Sequence, residues 1–252
     1  MSGQLTIVGL GPGPAEWITP AADATVSMAD VVLGYERYIA RLAPRRGQIF
    51  EASDNREELA RATRALELAT SGKRVVLVSG GDPGVFAMAA AVFEAVDKKP
   101  ALANDIDIRV EPGVTAMLAA ASRIGAPLGH DFCAISLSDN LKPWATIEKR
   151  LRLAAEADFV IALYNPASKA RPDQIREAFR ILSTIRAPET IVAFARAVGR
   201  SDESIEITTL ADAPEAICDM RTVVLIGSPA TRAVQGRDGR KWVYTPRFAR
   251  DE

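Results

Sequence analysis

A glycine-rich turn, Ser79-Gly80-Gly81-Asp82-Pro83-Gly84, is the segment of the chain best suited to hold a small ligand. Three glycines in six residues let backbone N–H groups approach a ligand closely, because no Cβ atom is in the way. Asp82 adds one acceptor carboxylate. The same composition also occurs in tight turns that bind nothing, so a ligand site and a plain turn both stay open from this segment alone.

The elements on either side of this turn predict where it lies in a fold. The β-branched run Val75–Val78 predicts a strand buried on both faces, and the alanine-rich residues 85–96 predict a helix. In open α/β sheets, small ligands bind outside the carboxyl ends of the strands, where such turns lie. The sequence therefore favours a ligand site over a structural turn at this position.

The same arrangement recurs along the chain, where predicted strands and helices alternate in both halves. The pattern predicts two α/β domains with largely parallel sheets, residues 1–126 and 127–252, with the boundary near Gly125-Ala126-Pro127. If the two sheets face each other, their turns gather in an interdomain cleft, which is a common ligand site. Five further turns follow predicted strands: residues 9–14, 112–116, 164–168, 195–202 and 227–229.

Composition excludes several classes of protein. The 252 residues are 48% hydrophobic and 25% charged with a net charge of −1, which is typical of a soluble globular protein and argues against a nucleic-acid partner. We expect no membrane association and a cytoplasmic location, because neither a long apolar run nor a signal peptide is present. A single histidine disfavours a metal site, and Cys133 and Cys218 are predicted to be free thiols.

A nicotinamide-dependent oxidoreductase is one alternative interpretation of the first turn. Residues 9–13 resemble part of a dinucleotide-binding loop, and Glu36 lies near the distance expected for a ribose-binding acid. The third glycine comes too early, however, and Pro12 and Pro14 prevent a helix from starting at once. The helix start is better placed at Thr19-Pro20, with threonine as the N-cap and proline at the first helical position.

Four motifs together resemble the tetrapyrrole methylases, over essentially the whole chain. This resemblance implies two α/β domains of the class III methyltransferase fold, usually in a homodimer, with S-adenosylmethionine in the interdomain cleft. It also implies methyl transfer to a tetrapyrrole of the siroheme or cobalamin pathway, with S-adenosylhomocysteine as the product. The motifs are Gly9-Leu10-Gly11-Pro12-Gly13, Ser79-Gly80-Gly81-Asp82-Pro83-Gly84, Pro112-Gly113-Val114-Thr115-Ala116 and Ala162-Leu163-Tyr164-Asn165-Pro166.

Within the family, four other segments resemble the branch that methylates C17 of a cobalamin precursor and contracts the ring. A metal-free substrate, a cobalt-containing one and uroporphyrinogen III all stay open. The N-terminal domain is expected on the tetrapyrrole side of the cleft, and the C-terminal domain is expected to complete the cofactor site. The segments are Gly34-Tyr35-Glu36-Arg37-Tyr38, Gly129-His130-Asp131-Phe132, Ser136-Leu137-Ser138-Asp139 and Val198-Gly199-Arg200.

The resemblance also implies which residues bind the cofactor and the substrate. Pro12 lies in the loop that lines the tetrapyrrole side in relatives. Tyr35 stands where uroporphyrinogen methylases carry an aspartate suspected of proton transfer, and it is the first candidate donor for ring contraction, with His130 and Asp139 as others. The predicted cofactor contacts are Gly80, Gly81, Asp82, Val85, Thr115, Ala116, Leu163, Tyr164 and Gly199.

The chemistry expected of such a site needs no nucleophilic side chain. The sulfonium is already a methyl donor, and placing the acceptor carbon in line with it can lower the barrier by roughly 7–11 kcal/mol. A polycarboxylate substrate calls for fixed cations, and arginine binds carboxylates in a bidentate manner. An RNA-modifying methylase and a non-catalytic tetrapyrrole carrier remain as alternatives. The candidate cations are Arg37 and Arg196, then Arg41, Arg123 and Arg200.

Overall fold

The computed structural model describes residues 3–54, 57–213, 218–237 and 239–248. The chain forms two compact units, Met1–Thr115 and Ala116–Glu252. The sequence placed the boundary after residue 126. The helix between these two positions belongs to the second unit, because it packs against strands of that unit.

Unit 1 is a five-stranded sheet in which every pair of neighbouring strands is parallel, as the alternation of strands and helices predicted. Its strands are β1 (Gly3–Gly9), β2 (Val31–Tyr35), β3 (Ile49–Ser53), β4 (Arg74–Ser79) and β5 (Ile106–Glu111), in the order β3-β2-β4-β1-β5. Its helices are α1 (Pro20–Met28), α2 (Glu36–Ile39), α3 (Glu58–Thr70) and α4 (Met88–Lys98).

The three central strands of unit 1, β1, β2 and β4, are buried on both faces. Val75 and Leu77 of β4 pack in one hydrophobic cluster with α3 and α4, whereas Val76 and Val78 pack in another with α1. Successive side chains of a strand point to opposite faces, so a continuous apolar run is the pattern that this burial requires. Because these strands are parallel, the three carboxyl ends that lead into predicted turns, those of β1, β4 and β5, lie at one edge of the sheet.

Unit 2 contains the second five-stranded sheet, in the order β10-β9-β11-β8-β7, and a small sheet in the order β12-β13-β6. Its helices are α5 (Ala116–Ile124), α6 (Trp144–Glu156) and α7 (Gln174–Leu182). Its strands are β6 (Gly125–Ala126), β7 (Phe132–Ser136), β8 (Val160–Tyr164), β9 (Ile191–Arg196), β10 (Ser204–Thr209), β11 (Thr222–Ile226), β12 (Arg232–Gln235) and β13 (Lys241–Tyr244).

The expectation of a largely parallel second sheet is wrong. Only β7 and β8 pair in parallel, while the β8–β11, β11–β9 and β9–β10 pairs are antiparallel. The connection between β9 and β10, residues 197–203, is too short for the crossover that parallel neighbours need.

The direction of β11 also shows that one part of the prediction is wrong, namely that all the turns after strands of unit 2 lie at the same edge of its sheet. Because β11 runs against β8 and β9, residues 227–229 lie at the opposite edge of the sheet from residues 164–168 and 195–202. Residues 219–221, which precede β11, lie at the edge where β8 and β9 end instead.

The core of unit 2 lies between its sheet and helices α6 and α7, and includes an edge-to-face contact of Phe179 with Phe194 at 5.9 Å between ring centroids. Cys133 and Cys218 are free and half-buried, as predicted, and burial raises the pKa of Cys218 to about 12. Within the described residues, every helix is too short or too polar to cross a lipid bilayer.

Candidate functional site

Three turns of unit 1 meet at the carboxyl edge of its parallel sheet. Gly11 and Gly81 exchange two backbone hydrogen bonds, each with an N···O distance of 3.1 Å. A Cβ atom on Gly9 would lie 2.7 Å from the carbonyl oxygen of Gly81, and one on Gly113 would lie 2.3 Å from the same oxygen. Glycine is therefore required because the turns after β1, β4 and β5 are closer together than any side chain allows.

Asp82 holds two of these turns together. Its Oδ1 accepts the backbone N–H of Gly84 at 2.8 Å, and its Oδ2 accepts the N–H of Gly113 at 3.1 Å. A carboxylate offers about four acceptor positions, so roughly two are used in this way. The residue that the sequence singled out as a cofactor ligand thus also shapes the turns around it.

Two tyrosines lie beside the β4 turn. Tyr38 covers Gly80 so closely that a Cβ atom on this glycine would be 2.6 Å from the ring. The ring of Tyr35, the candidate proton donor at the end of β2, meets that of Tyr38 edge-to-face at 5.4 Å. From the sequence, Tyr35 and Tyr38 with the neighbouring arginines could form a polar mouth for an anionic ligand, but the contact of Tyr38 with Gly80 was not predicted.

The arginines of α2 and the following loop fall into two groups. Arg41 donates to the carbonyl oxygens of Leu10 at 2.6 Å, of Gly11 at 2.9 Å and of Gly13 at 2.9 Å, so it holds the loop that contains Pro12. Arg37 is exposed on α2 and has no ion-pair partner within the described ranges. Of the two, Arg37 is therefore the cation available to an outside carboxylate.

The remaining candidates of unit 1 are less exposed. Val85 is half-buried in the turn that Asp82 organises, and its N–H donates to the carbonyl oxygen of Asp82 at 3.3 Å. Thr115 is buried, with 5% of its surface exposed. The helix after the first glycine turn begins only at Pro20, and the Oγ1 of Thr19 caps it by accepting the N–H of Ala22 at 3.1 Å, as predicted. A dinucleotide-binding loop would lead into its helix much sooner.

In unit 2, two predicted cofactor segments meet at the start of α5. The hydroxyl oxygen of Tyr164 accepts the backbone N–H of Met117 at 3.0 Å, which places the end of β8 beside Ala116, the first residue of α5. Leu163 is fully buried in the strand. Beyond it, the side-chain amide of Asn165 donates to the Oγ of Ser136 at 2.9 Å and joins the ends of β8 and β7.

The turn that carries Gly199 is tied to α5 by a carboxylate that the sequence did not single out. Glu203 accepts the backbone N–H of Gly199 at 2.6 Å and binds the guanidinium of Arg123 through both oxygens, at 2.9 and 3.2 Å. Arg123 is therefore already paired. Arg200 also interacts with other residues of the chain.

Arg196 lies in a network of four charges at the end of β9. Its Nε donates to the Oδ2 of Asp219 at 2.9 Å, and its Nη1 donates to the Oδ2 of Asp202 at 3.1 Å. Arg221 also binds Asp202, and this hydrogen bond lowers the pKa of the Asp202 carboxyl below its usual value. Burial alone would raise the pKa of Asp219, but hydrogen bonds from the Arg221 N–H, Arg196 and Thr222 lower it.

Backbone strain coincides with the predicted ligand turns. The described residues include four non-glycine residues with positive φ, and three of them follow β4, β8 and β9: Phe86 at 52°, Asn165 at 53° and Ala197 at 51°. Such conformations cost about 1–3 kcal/mol each and concentrate at functional sites. The strain therefore favours a ligand-binding role for these three turns over a purely structural one.

The last two candidates for proton donation lie elsewhere in unit 2. The Nδ1 of His130 accepts the backbone N–H of Asp131 at 2.8 Å in the connection between β6 and β7. Asp139 lies beyond β7, 3.8 Å from the Nε of Arg171. Tyr35 belongs to unit 1, whereas His130 and Asp139 belong to unit 2.

A parallel sheet with glycine turns at its carboxyl edge, followed by a mixed sheet with strained turns, defines an α/β protein of the class III methyltransferase type. The protein-family model described as Tetrapyrrole (Corrin/Porphyrin) Methylases matches residues 4–214 of this chain. The chain belongs to this family.

Individual relatives agree with that assignment. The chain is 59% identical to a Precorrin-3B C(17)-methyltransferase from Sinorhizobium sp, over 98% of both proteins. It is 40% identical to a Probable cobalt-factor III C(17)-methyltransferase from Salmonella typhimurium strain LT2, over 92% of this chain and 96% of that protein. The crystal structure of the methyltransferase CobJ superposes with a TM-score of 0.92 at 54% identity, covering 97% of this chain and 100% of the other.

Proposed function

We propose that this protein is an S-adenosylmethionine-dependent C-methyltransferase of cobalamin biosynthesis, which methylates C17 of precorrin-3B with ring contraction to precorrin-4. One observation carries the proposal: 59% identity over 98% of both chains to a protein named for C17 methylation of precorrin-3B. Identity at this level over whole chains covers the strand-end turns of both units. The close approach of the turns after β1, β4 and β5 requires glycine at positions 9 and 113 of this chain.

S-adenosylmethionine is the proposed cofactor, with S-adenosylhomocysteine as the product. Gly80, Gly81, Asp82, Val85 and Thr115, in and beside the turns that Asp82 joins to Gly113, are the contacts proposed from unit 1. Ala116, Leu163, Tyr164 and Gly199 are the contacts proposed from unit 2. The expectation that the cofactor lies between the two units stays a prediction.

The chain's own part in methyl transfer is to bind and orient. The sulfonium supplies the electrophile, and alignment with the acceptor carbon is the main catalytic contribution. Tyr35 is the proposed proton donor for ring contraction, and its position at the end of β2 beside the β4 turn supports that role.

The substrate is proposed to be a polycarboxylate tetrapyrrole that contacts Pro12 and Arg37. Arg37 is proposed to bind a substrate carboxylate because its side chain is exposed and has no ion pair within the described chain. Arg196 would have to exchange one of its two carboxylate partners to bind substrate. A cytoplasmic location and a homodimer stay predictions.

A cobalt-containing substrate is the second candidate, because a relative with 40% identity is named for cobalt-factor III. The reaction type is the same in both cases. The difference is whether the tetrapyrrole already carries a metal ion.

Incubation of the purified protein under anaerobic conditions with [methyl-¹³C]S-adenosylmethionine, and with either precorrin-3B or cobalt-factor III, tests the proposal. We expect one labelled methyl group at C17 by NMR, and a faster reaction with precorrin-3B. Label at another carbon would overturn the C17 assignment, and faster turnover of the cobalt compound would favour the second candidate. Binding of tetrapyrrole without any turnover of the cofactor would favour the carrier alternative.

A further inference from the structure

Unit 2 contains a cavity of about 320 Å³ between the segment after β7 and the start of α7. Its lining includes the aromatic residue Trp144 and the ion pair of Arg171 with Asp139. This volume accommodates one side chain of a larger ligand rather than a whole tetrapyrrole. The remaining lining residues are Ala170, Pro172, Asp173, Gln174 and Glu177.

The guanidinium of Arg171 lacks the hydrogen bonds that a buried cation normally has. Its side chain is 14% exposed, and its Nη1 is buried with no partner in the described chain. Its nearest carboxylate oxygen, Oδ1 of Asp139, is 3.8 Å from Nε, which is beyond hydrogen-bond distance. Arg186 and Arg221 also have one unpartnered nitrogen each, but both donate to an aspartate through another nitrogen.

The charges around the cavity favour an anion beside Arg171. Asp173 is paired with Arg176 at 3.3 Å, and Glu177 is paired with Arg180 at 2.6 Å.

The pKa of Lys142 is lowered, first by burial and then by the positive charges of Arg150 and Arg171. The charge of Asp139 acts in the opposite direction but does not reverse the shift. Arg171 has a buried Nη1 with no partner in the described chain and only a long ion pair to Asp139, so its guanidinium is suited to a carboxylate, whose two oxygens match two parallel N–H donors.

We propose that this cavity binds one carboxylate-bearing side chain of the tetrapyrrole substrate, with Arg171 donating to the carboxylate and Trp144 covering the hydrocarbon part. The inference rests on the proposed function. It replaces Arg41 and Arg123, which the structure shows to be occupied within the fold, with a cation that the sequence did not single out.

Steady-state methyl transfer from S-adenosylmethionine to precorrin-3B tests the inference in Arg171→Ala and Arg171→Lys. We expect KM for the tetrapyrrole to rise about tenfold or more in Arg171→Ala and less in Arg171→Lys, because the charge remains without the bidentate geometry. KM for S-adenosylmethionine should change less than about twofold. Lys149→Ala is the control, since this lysine is exposed on α6 and outside the cavity lining.

Ala170→Phe provides a second variant that leaves Arg171 in place and fills the cavity, so a folding defect of Arg171→Ala does not prevent the test. The same rise in tetrapyrrole KM is expected. Wild-type methylation of C17 together with an unchanged tetrapyrrole KM in Arg171→Lys and Ala170→Phe would overturn the inference and leave the proposed function intact. A wild-type protein that does not methylate the tetrapyrrole would instead overturn the proposed function, and the inference with it.

Discussion

The Oδ2 of Asp82 accepts the backbone N–H of Gly113 at 3.1 Å and so joins the turn after β4 to the turn after β5. The two residues are separated by the whole of α4 and β5 in the chain. The contact gives Asp82 a structural role that does not depend on any ligand. Loss of the carboxylate is therefore expected to act on the cofactor through the geometry of the turns as well as through direct contact.

Replacement of Asp82 by alanine removes the acceptor of two backbone N–H groups. Hydrogen bonds to charged groups contribute about 1.5–3 kcal/mol each. We expect the protein to remain folded and its affinity for S-adenosylmethionine, measured by calorimetry, to fall about tenfold or more. Asp107→Ala is the control, because this residue is exposed on β5 and, among the residues that the structure describes, forms an ion pair with Arg109 alone. An unchanged affinity in Asp82→Ala would show that neither role matters for binding.

A methyl group on Gly113 tests whether the close approach of the turns is needed. The Cβ atom of Gly113→Ala would lie 2.3 Å from the carbonyl oxygen of Gly81, and overpacking of this kind costs ~1–3 kcal/mol. We expect a lower free energy of unfolding in urea and weaker cofactor binding. In the control Gly47→Ala, the Cβ atom meets open space, and only the φ of 88° opposes the change. A Gly113→Ala protein with wild-type stability and affinity would contradict this steric argument.

Arg41 is expected to act as a positioning residue for the loop that contains Pro12. Arg41→Ala leaves three carbonyl groups without their donor, and we expect a loss of about 2–3 kcal/mol in the free energy of unfolding. KM for the tetrapyrrole should also rise in Arg41→Ala. Arg41→Lys, which retains the charge, should recover part of the lost free energy of unfolding. Arg45→Ala, at an exposed residue of the same loop, is the control. Equal effects of Arg41→Ala and Arg45→Ala would show that only the charge matters.

The charge network around Arg196 predicts a specific dependence of stability on pH. Hydrogen bonds lower the folded-state pKa of Asp202 and Asp219, so their stabilising contribution is present above the unfolded pKa of about 3.9 and is lost as pH falls through the lower folded values. Asp219→Asn should therefore show a smaller loss of stability than the wild type as the pH is lowered from about 5 to 3. Urea unfolding across this range measures the effect. Asp105→Asn, at an exposed aspartate without an ion pair in the described chain, should retain the wild-type slope.

In unit 1, the structure confirms two predictions made from short segments of the sequence. The run Val75–Val78 predicted a strand buried on both faces, and Thr19-Pro20 predicted the start of α1; both are confirmed. These predictions succeed because burial pattern, capping and glycine turns are properties of a few neighbouring residues. The glycine turns could be placed at strand ends for the same reason.

The partners of the site residues could not be predicted in this way. Arg196 was a first candidate for substrate binding and Arg41 and Arg123 were further ones, yet Arg41 holds a loop and the other two are paired with carboxylates. Glu203 and Arg171 carried no signal beyond being charged residues near a turn. Which of these charges meet depends on contacts between segments far apart in the chain.

The sequence by itself determined the α/β class, the strand-end turns and the membership of the tetrapyrrole methylase family, because local patterns and four ordered motifs carry that information. Only the tertiary structure decided that β11 runs against β8 and β9, which removes residues 227–229 from the edge where the other turns of unit 2 lie and brings Asp219 to Arg196. Strand direction within a sheet follows from long-range pairing and the length of connections rather than from the residues of the strand. The buried Nη1 of Arg171, which has no hydrogen-bond partner in the described chain, is likewise visible only once the surrounding segments are packed.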